Sequence, residues 1–145
     1  MQEIIPFLTL DGNCREAMEF YKKCFAAELF LLAYGDVPGE VLGEARKEKD
    51  RIMHATLSKG ATLLMAADSM PGSPVREGGH LAVMIQCESM EEIEGLFAAL
   101  AEGGAVTMAL QDTFWGARFG TLTDRFGVGW MFNCPLPKCG PAFRP

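Results

Sequence analysis

Two hairpin patterns of the same shape close the first and second halves of this chain. The first covers residues 52–67 and turns at Gly60, and the second covers residues 117–134 and turns at Gly127. Each hairpin follows a strand pattern, an amphipathic helix pattern and a further strand pattern. Because each set of strands needs a helix on one face, the repeat predicts an α+β fold. We expect two β-α-β-β-β modules that form a curved, mostly antiparallel sheet shaped like a cup.

The boundaries of the repeat divide the chain into four segments. Module one covers about residues 1–68, a Pro- and Gly-rich linker covers residues 69–79, module two covers about residues 80–135, and a tail covers residues 136–145. A chain of 145 residues with 49% apolar side chains is long enough to bury one core. Since neither module is expected to be stable alone, residues 1–145 are interpreted as a single domain.

Each module contains one helix with a start signal. Asn13 is the predicted N-cap of the first helix, with Glu16 in the capping-box position, and Ser89 and Glu92 play these roles in the second. The predicted buried stripe of the first helix is Ala17, Phe20, Tyr21 and Cys24. The predicted stripe of the second is Ile93, Leu96, Phe97 and Leu100.

Composition excludes several classes of function. The net charge of −6, from 19 acidic and 13 basic residues, argues against a nucleic-acid partner. No apolar run approaches the roughly 18 residues that cross a bilayer, and the first residues do not form a signal peptide, so we expect a cytoplasmic protein with no membrane partner. Five cysteines without C-x-x-C spacing predict neither a disulfide framework nor a structural zinc site.

Several short segments, spread over almost the whole chain, resemble the vicinal-oxygen-chelate (glyoxalase/bleomycin-resistance) superfamily, and within it the PhnB-like branch, often labelled demethylubiquinone-methyltransferase-like. These segments are Asp11-Gly12-Asn13, Glu16-Ala17-Met18-Glu19-Phe20-Tyr21, Tyr34-Gly35-Asp36, Met53-His54-Ala55, Thr113-Phe114-Trp115-Gly116 and Asp124-Arg125-Phe126-Gly127. The resemblance implies paired β-α-β-β-β modules and a homodimer. Metal-dependent members of this superfamily hold their metal with four ligands, which lie on the first and fourth strands of each module.

The positions that match those ligands keep one suitable side chain. They hold Pro6, Leu64, His80 and Met131. Proline and leucine cannot coordinate a metal, and a thioether suits Cu(I) better than a hard divalent ion. We therefore expect no catalytic metal at these positions and no other cofactor.

The residues predicted by strand alternation to face the cup are mostly apolar: Pro6, Leu8, Leu10, Leu64, Ala66, His80, Ala82, Met84, Gly129 and Met131. Trp130 and Phe132 have the opposite parity and are predicted to be core. His54 is expected to face the helix if the turn after Ser58 is even, and the cup if a one-residue bulge intervenes. Phe114 and Trp115 are candidates for an aromatic rim.

These observations favour a metal-independent protein that binds a small apolar or aromatic molecule. The candidate ligand-binding residues are His80, Trp115, His54, Phe114, Leu8, Leu64 and Met131, and no catalytic residue is identified. The alternatives are a metal-dependent lyase or dioxygenase-like enzyme with displaced ligands, a methyltransferase-like enzyme as the family label suggests, and a dimerising module without a ligand.

Overall fold

The computed structural model describes residues 5–37, 47–69, 71–72, 75, 81–113 and 116–136. The chain divides into two compact units, Met1–Glu77 and Gly78–Pro145, and the division falls inside the predicted linker. Unit one contains β1 (Phe7–Leu10), α1 (Cys14–Phe25), β2 (Glu28–Ala33), β3 (Ile52–Lys59) and β4 (Thr62–Asp68). Unit two contains β5 (Val83–Gln86), α2 (Met90–Ala101), β6 (Ala105–Asp112), β7 (Ala117–Thr123) and β8 (Gly129–Pro135). Both units have the predicted β-α-β-β-β order, and the α+β class is confirmed.

Each unit has one four-stranded sheet of the same topology. The strand orders are β1-β4-β3-β2 and β5-β8-β7-β6. The first and last strands of each unit pair in parallel, and the other neighbours are antiparallel. Each sheet is therefore mostly antiparallel, as expected.

The core of unit one lies between α1 and one face of its sheet. The buried side chains of α1 include Ala17 and Tyr21, as predicted, while Phe20 and Cys24 are only half-buried. Cys14 and Met18 complete the buried stripe instead. Each buried position is three residues nearer the helix start than predicted, which at 3.6 residues per turn rotates the buried stripe by about 60° around the helix axis.

Asp68, at the end of β4, caps α1. Its Oδ1 accepts hydrogen bonds from the backbone amides of Gly12 at 2.8 Å and Cys14 at 3.0 Å. Its Oδ2 accepts one from the amide of Ile52 at 2.8 Å. Asn13 occupies the N-cap position but makes no side-chain capping bond, so the predicted capping box of α1 is wrong. A carboxylate from a distant strand replaces the local cap because it satisfies amides of both α1 and β3.

The core of unit two follows the sequence prediction closely. Ser89 Oγ accepts a hydrogen bond from the amide of Glu92 at 3.1 Å, which confirms the predicted N-cap, and the Glu92 carboxylate reaches back to the amide of Glu88. Trp130 and Phe132 are buried, and the Phe132 ring meets the ring of Phe97 on α2 at 5.2 Å, edge to face. The helix-facing role predicted for both residues is confirmed.

The motif Asp124-Arg125-Phe126-Gly127 forms the turn between β7 and β8. Asp124 Oδ1 accepts hydrogen bonds from the amides of Phe126 and Val128, and its Oδ2 accepts one from Trp130 Nε1 at 2.8 Å. Gly127 has a φ of 85°, a conformation that favours glycine. These contacts give the motif a structural role in fixing the hairpin.

Candidate functional site

The open face of each sheet, defined as the face opposite the unit's helix, is the candidate site. In unit one the helix-packed face is marked by the alternating buried residues Leu64, Ala66 and Asp68 of β4. Leu8 and Leu10 are register partners of Ala66 and Asp68, so they share that face. The cup-facing orientation predicted for Leu8, Leu10, Leu64 and Ala66 is therefore wrong.

For Leu64 and Ala66 the error comes from the two hairpin turns, which differ in length. Lys59 pairs with Thr62 across a two-residue turn, whereas Thr123 pairs with Gly129 across a five-residue turn. Lys59 Nζ donates to the carbonyl of Phe25, the last residue of α1. The pair Lys59–Thr62 beside the short turn therefore lies on the helix side of the sheet. Leu64 and Met131 each lie four residues after the glycine of their turn, but the different turn lengths place them on different faces of their sheets.

In unit two the predicted orientation is correct. Met131 alternates with the buried Trp130 and Phe132, and Met84 is its register partner on β5. Both methionines and Gly129 therefore lie on the open face of that sheet.

A row of four side chains crosses the open face of unit one. Phe7 on β1 pairs with Met65 on β4, Met65 with Thr56 on β3, and Thr56 with Phe30 on β2. Phe7 and Phe30, at the ends of the row, are 53% and 60% exposed. Three strand spacings of about 4.8 Å separate the end residues by about 14 Å, so two aromatic rings flank a floor formed by a thioether and a threonine.

His54 lies beside this row on the open face. It alternates with Ala55 and Leu57, which are buried on the helix side. The bulge at Met53, between the pairs Leu32–His54 and Ala33–Ile52, lies before His54 and not in the turn. The turn has an even number of residues, and His54 nevertheless lies on the open face. The prediction that an even turn would direct His54 toward the helix is therefore wrong. Its cause is the wrong face assigned to Leu64, from which the face of His54 was counted.

His54 supplies a polar contact to this surface. Its Nε2 lies 3.0 Å from Thr56 Oγ1, and its ring centroid is 6.4 Å from that of Phe7. An imidazole and a hydroxyl that already contact each other can orient a polar substituent of a bound molecule.

The open face of unit two carries more polar groups. Gln86 pairs with Asn133, Asn133 with Phe119, and Phe119 with Gln111 across all four strands. Asn133 Nδ2 donates to Gln86 Oε1 at 3.2 Å. In a neighbouring row, Thr107 Oγ1 and Thr121 Oγ1 are 2.6 Å apart. Asn133 is buried, so the polar groups that this face offers beside Met84 and Met131 are those of Gln86, Gln111 and the two threonines.

Three of the predicted ligand-binding residues, His80, Phe114 and Trp115, lie outside the described residues. Of the other four, His54 and Met131 lie on open faces, and Leu8 and Leu64 do not. Sequence reasoning missed Phe7, Phe30 and Met65. The alternation of Phe7 and Thr9 with Leu8 and Leu10 was a signal that the exposed face of β1 is aromatic.

The described open faces offer few grouped donors for a divalent metal. The first and fourth strands present Phe7 and Met65 in unit one, and in unit two Met84 and Met131 beside the mutually bonded amides of Gln86 and Asn133. Phenyl and thioether groups are poor ligands for hard cations. In the described part of the chain, no three or more His, Cys, Asp or Glu side chains are grouped so that they could hold a metal ion.

Among the described residues, burial shifts the acidity of three thiols. Burial raises the pKa of Cys14 and of Cys87 to about 12, with smaller contributions from the charges of Asp68 and Glu92 respectively. Burial also raises the pKa of Cys134. These side chains are protonated at neutral pH, so none is an activated nucleophile.

Comparisons with known proteins agree on one family. Residues 4–132 match the Glyoxalase/Bleomycin resistance protein/Dioxygenase superfamily. The protein YjdN of Escherichia coli (strain K12) is 32% identical over 136 residues, which cover 88% of this chain and 92% of YjdN. No helix within the described ranges is long and apolar enough to cross a membrane.

Solved structures show the same fold. Protein PA1353 from Pseudomonas aeruginosa is 44% identical with a TM-score of 0.84, over 94% of this chain and 99% of that one. A protein from Bacillus cereus, described as a putative 3-demethylubiquinone-9 3-methyltransferase, PhnB protein, is 28% identical with a TM-score of 0.74, over 92% of this chain and 99% of that one. The PhnB-like resemblance is thereby confirmed.

Proposed function

Because the chain belongs to the Glyoxalase/Bleomycin resistance protein/Dioxygenase superfamily, we propose that it binds a small planar aromatic or apolar molecule without the metal that serves metal-dependent relatives. The ligand lies on the open face of unit one. The observation that carries this proposal is the row of Phe7, Met65, Thr56 and Phe30, whose two end rings are more than half exposed. Large exposed aromatic side chains in a row on one sheet face are typical of a binding surface.

The dimensions of the row suit a compound with a single ring or with two fused rings. The end residues are about 14 Å apart, and each ring occupies part of that span, which leaves a floor of about two strand spacings. A planar ligand can stack edge-to-face or offset against Phe7 and Phe30, at about 0.5–1.5 kcal/mol for each aromatic pair. The adjacent His54–Thr56 pair favours a ligand with one hydroxyl or carbonyl substituent.

The experiment is a saturation-transfer NMR measurement with 2-naphthol as the probe. We expect transfer from the wild-type protein and its loss in Phe7→Ser and Phe30→Ser. Leu81→Ser is the matched control, because Leu81 is 89% exposed but lies just before β5 in unit two. Equal transfer in all four proteins would refute the assignment of the ligand to this face.

A second comparison tests the role of His54. His54→Gln is expected to reduce the preference for 2-naphthol over naphthalene and to leave naphthalene binding intact, because the ring of Phe7 remains. Loss of both probes, with an unchanged melting curve, would mean that His54 shapes the surface itself.

Elemental analysis of the purified protein tests the metal-independent part. We expect less than about a tenth of an equivalent of zinc, manganese, iron or nickel, and no affinity for Zn²⁺ or Mn²⁺ on titration. A stoichiometric divalent metal would favour the lyase or dioxygenase alternative.

We further propose that the protein is a homodimer, as the family resemblance implies, and that it is cytoplasmic. Strand β6 lies at an edge of its sheet, and Val106 and Met108 on it are 49% and 42% exposed. Sedimentation equilibrium is expected to give twice the chain mass, and a monomer at micromolar concentration would contradict this part alone.

A further inference from the structure

Two cysteines of unit two lie side by side at the ends of neighbouring parallel strands. The β5–β8 register ends at the pair Gln86–Asn133, and its next step places Cys87 beside Cys134. The amide of Cys87 donates to the carbonyl of Asn133 at 2.8 Å, which keeps the two strands in register at this point. Cys87 is 2% exposed and Cys134 is 1% exposed.

Both side chains point to the helix-packed face. Cys134 alternates with Asn133 and follows the buried Phe132, and Cys87 is two residues beyond Ile85, the register partner of Phe132. This face is opposite the one that carries Met84 and Met131. The cysteine pair is therefore separate from the candidate ligand surface.

The spacing of the pair allows one ion to be held between the two sulfurs. Parallel strands are about 4.8 Å apart, and facing side chains leave them in the same direction. The same spacing lies within the range of about 4.4–6.8 Å between the Cα atoms of a disulfide, so the bound state requires both thiols to be reduced. Two thiolate–metal bonds of about 2.3 Å in a line span about 4.6 Å, close to the strand spacing.

We propose that Cys87 and Cys134 form a linear two-sulfur site for a soft monovalent cation of the Cu(I) class. Thiolates select such ions, and the apolar surroundings exclude hydrated hard cations. On binding, each thiol releases its proton to solvent as a sulfur–copper bond forms, and copper remains in the +1 state. The complex carries a net charge of −1.

The positive charge of Arg118 acts on Cys134, and two carboxylates already pair with it. Arg118 is the register partner of Cys134 on β7, on the side away from Cys87. Its guanidinium is held by Asp112 at 2.9 Å and Glu94 at 2.7 Å. Glu92, which contacts the Cys87 thiol, opposes the site, so the pair requires an ion with high affinity for sulfur.

The test is an anaerobic competition for Cu(I) with the chromophoric chelator bicinchoninate. The full chain carries Cys24→Ser and Cys139→Ser so that these thiols do not compete. We expect the protein to withdraw about one equivalent of Cu(I), with two sulfur neighbours in the X-ray absorption spectrum. Cys87→Ala and Cys134→Ala are each expected to abolish this transfer.

Cys14→Ala is the matched control, because Cys14 is equally buried but lies in unit one. It is expected to leave the transfer unchanged. Far-UV circular dichroism identifies any misfolded variant, and either cysteine variant that folds is sufficient for the test. The proposal is overturned if no Cu(I) is withdrawn, or if transfer survives in a folded Cys87→Ala or Cys134→Ala variant.

Discussion

Replacing Asp68 by alanine is expected to destabilise the protein by about 3–5 kcal/mol. The carboxylate accepts three backbone hydrogen bonds, at 2.8, 3.0 and 2.8 Å. Hydrogen bonds to a charged group contribute about 1.5–3 kcal/mol each. The amide of Gly12, an exposed residue, can bind water in the variant, whereas the amides of Cys14 and Ile52 are buried and would lose their partner.

Two further variants distinguish the effect of the Asp68 charge from that of its shape, and capping of α1 by Asp68 from capping by Asn13. Asp68→Asn keeps one acceptor oxygen but places an amide NH₂ against the donor of Ile52, and is expected to cost about 1.5–3 kcal/mol. Asn13→Ala should cost less than about 0.5 kcal/mol, because Asn13 makes no side-chain capping bond.

The assay is urea unfolding followed by far-UV circular dichroism. The variants should lower the midpoint with little change in the denaturant slope. If Asn13→Ala costs 1 kcal/mol or more, about the usual cost of losing a cap, while Asp68→Ala costs less than that, the assignment of the cap to Asp68 is wrong.

Three other predictions use the same unfolding assay. Gly120→Ala should cost about 1–3 kcal/mol, because its Cβ would lie 2.9 Å from both Leu110 Cδ2 and Phe97 Cε2; a neutral result would mean that these side chains move aside. Gly95→Ala, in α2 with no atom within 4 Å of the new Cβ, should instead stabilise by about 0.5–1 kcal/mol, and a loss would contradict its open surroundings. Burial raises the pKa of Cys14 from 9.0 to about 12, so the native state holds this proton more tightly than the unfolded state; its contribution is complete below pH 9 and is lost as the pH rises toward 12. The stability should fall between these pH values by up to about 1.4 kcal/mol per pH unit for this thiol, and Cys14→Ala should make the fall shallower; an unchanged profile would refute the assignment.

Local patterns predicted the order of the elements and much of the core. Ser89 caps α2 through the amide of Glu92, three residues away, so its sequence signal is self-contained. The cap of α1 comes from Asp68, 54 residues from Cys14, and no local pattern indicates it. Asn13 satisfies the same sequence rule as Ser89 but makes no such bond, because Asp68 already occupies the position.

The candidate site was less predictable because it depends on strand order. Phe7 and Phe30 lie at opposite edges of the sheet, and only the order β1-β4-β3-β2 places them in one row. The side of the sheet on which Leu64 lies depends on the length of the Gly60 turn, which the alternation of residues alone does not specify. Neither property can be read from a local sequence pattern. The first is the order of the strands in the sheet, and the second is the turn length, which decides the face on which every side chain of the following strand lies.

The parallel pairing of first and last strands has a consequence for synthesis on the ribosome. Phe7 pairs with Met65, so β1 has no partner until roughly sixty more residues have been translated, about 3–12 s at typical elongation rates. The β3–β4 hairpin can form within microseconds of leaving the ribosome. The pairing of β1 with β4 is then the step that completes the sheet. During that interval β1 is an unpaired apolar segment next to other emerging chains, so the docking of this strand is the step at which a chaperone that binds extended segments would act.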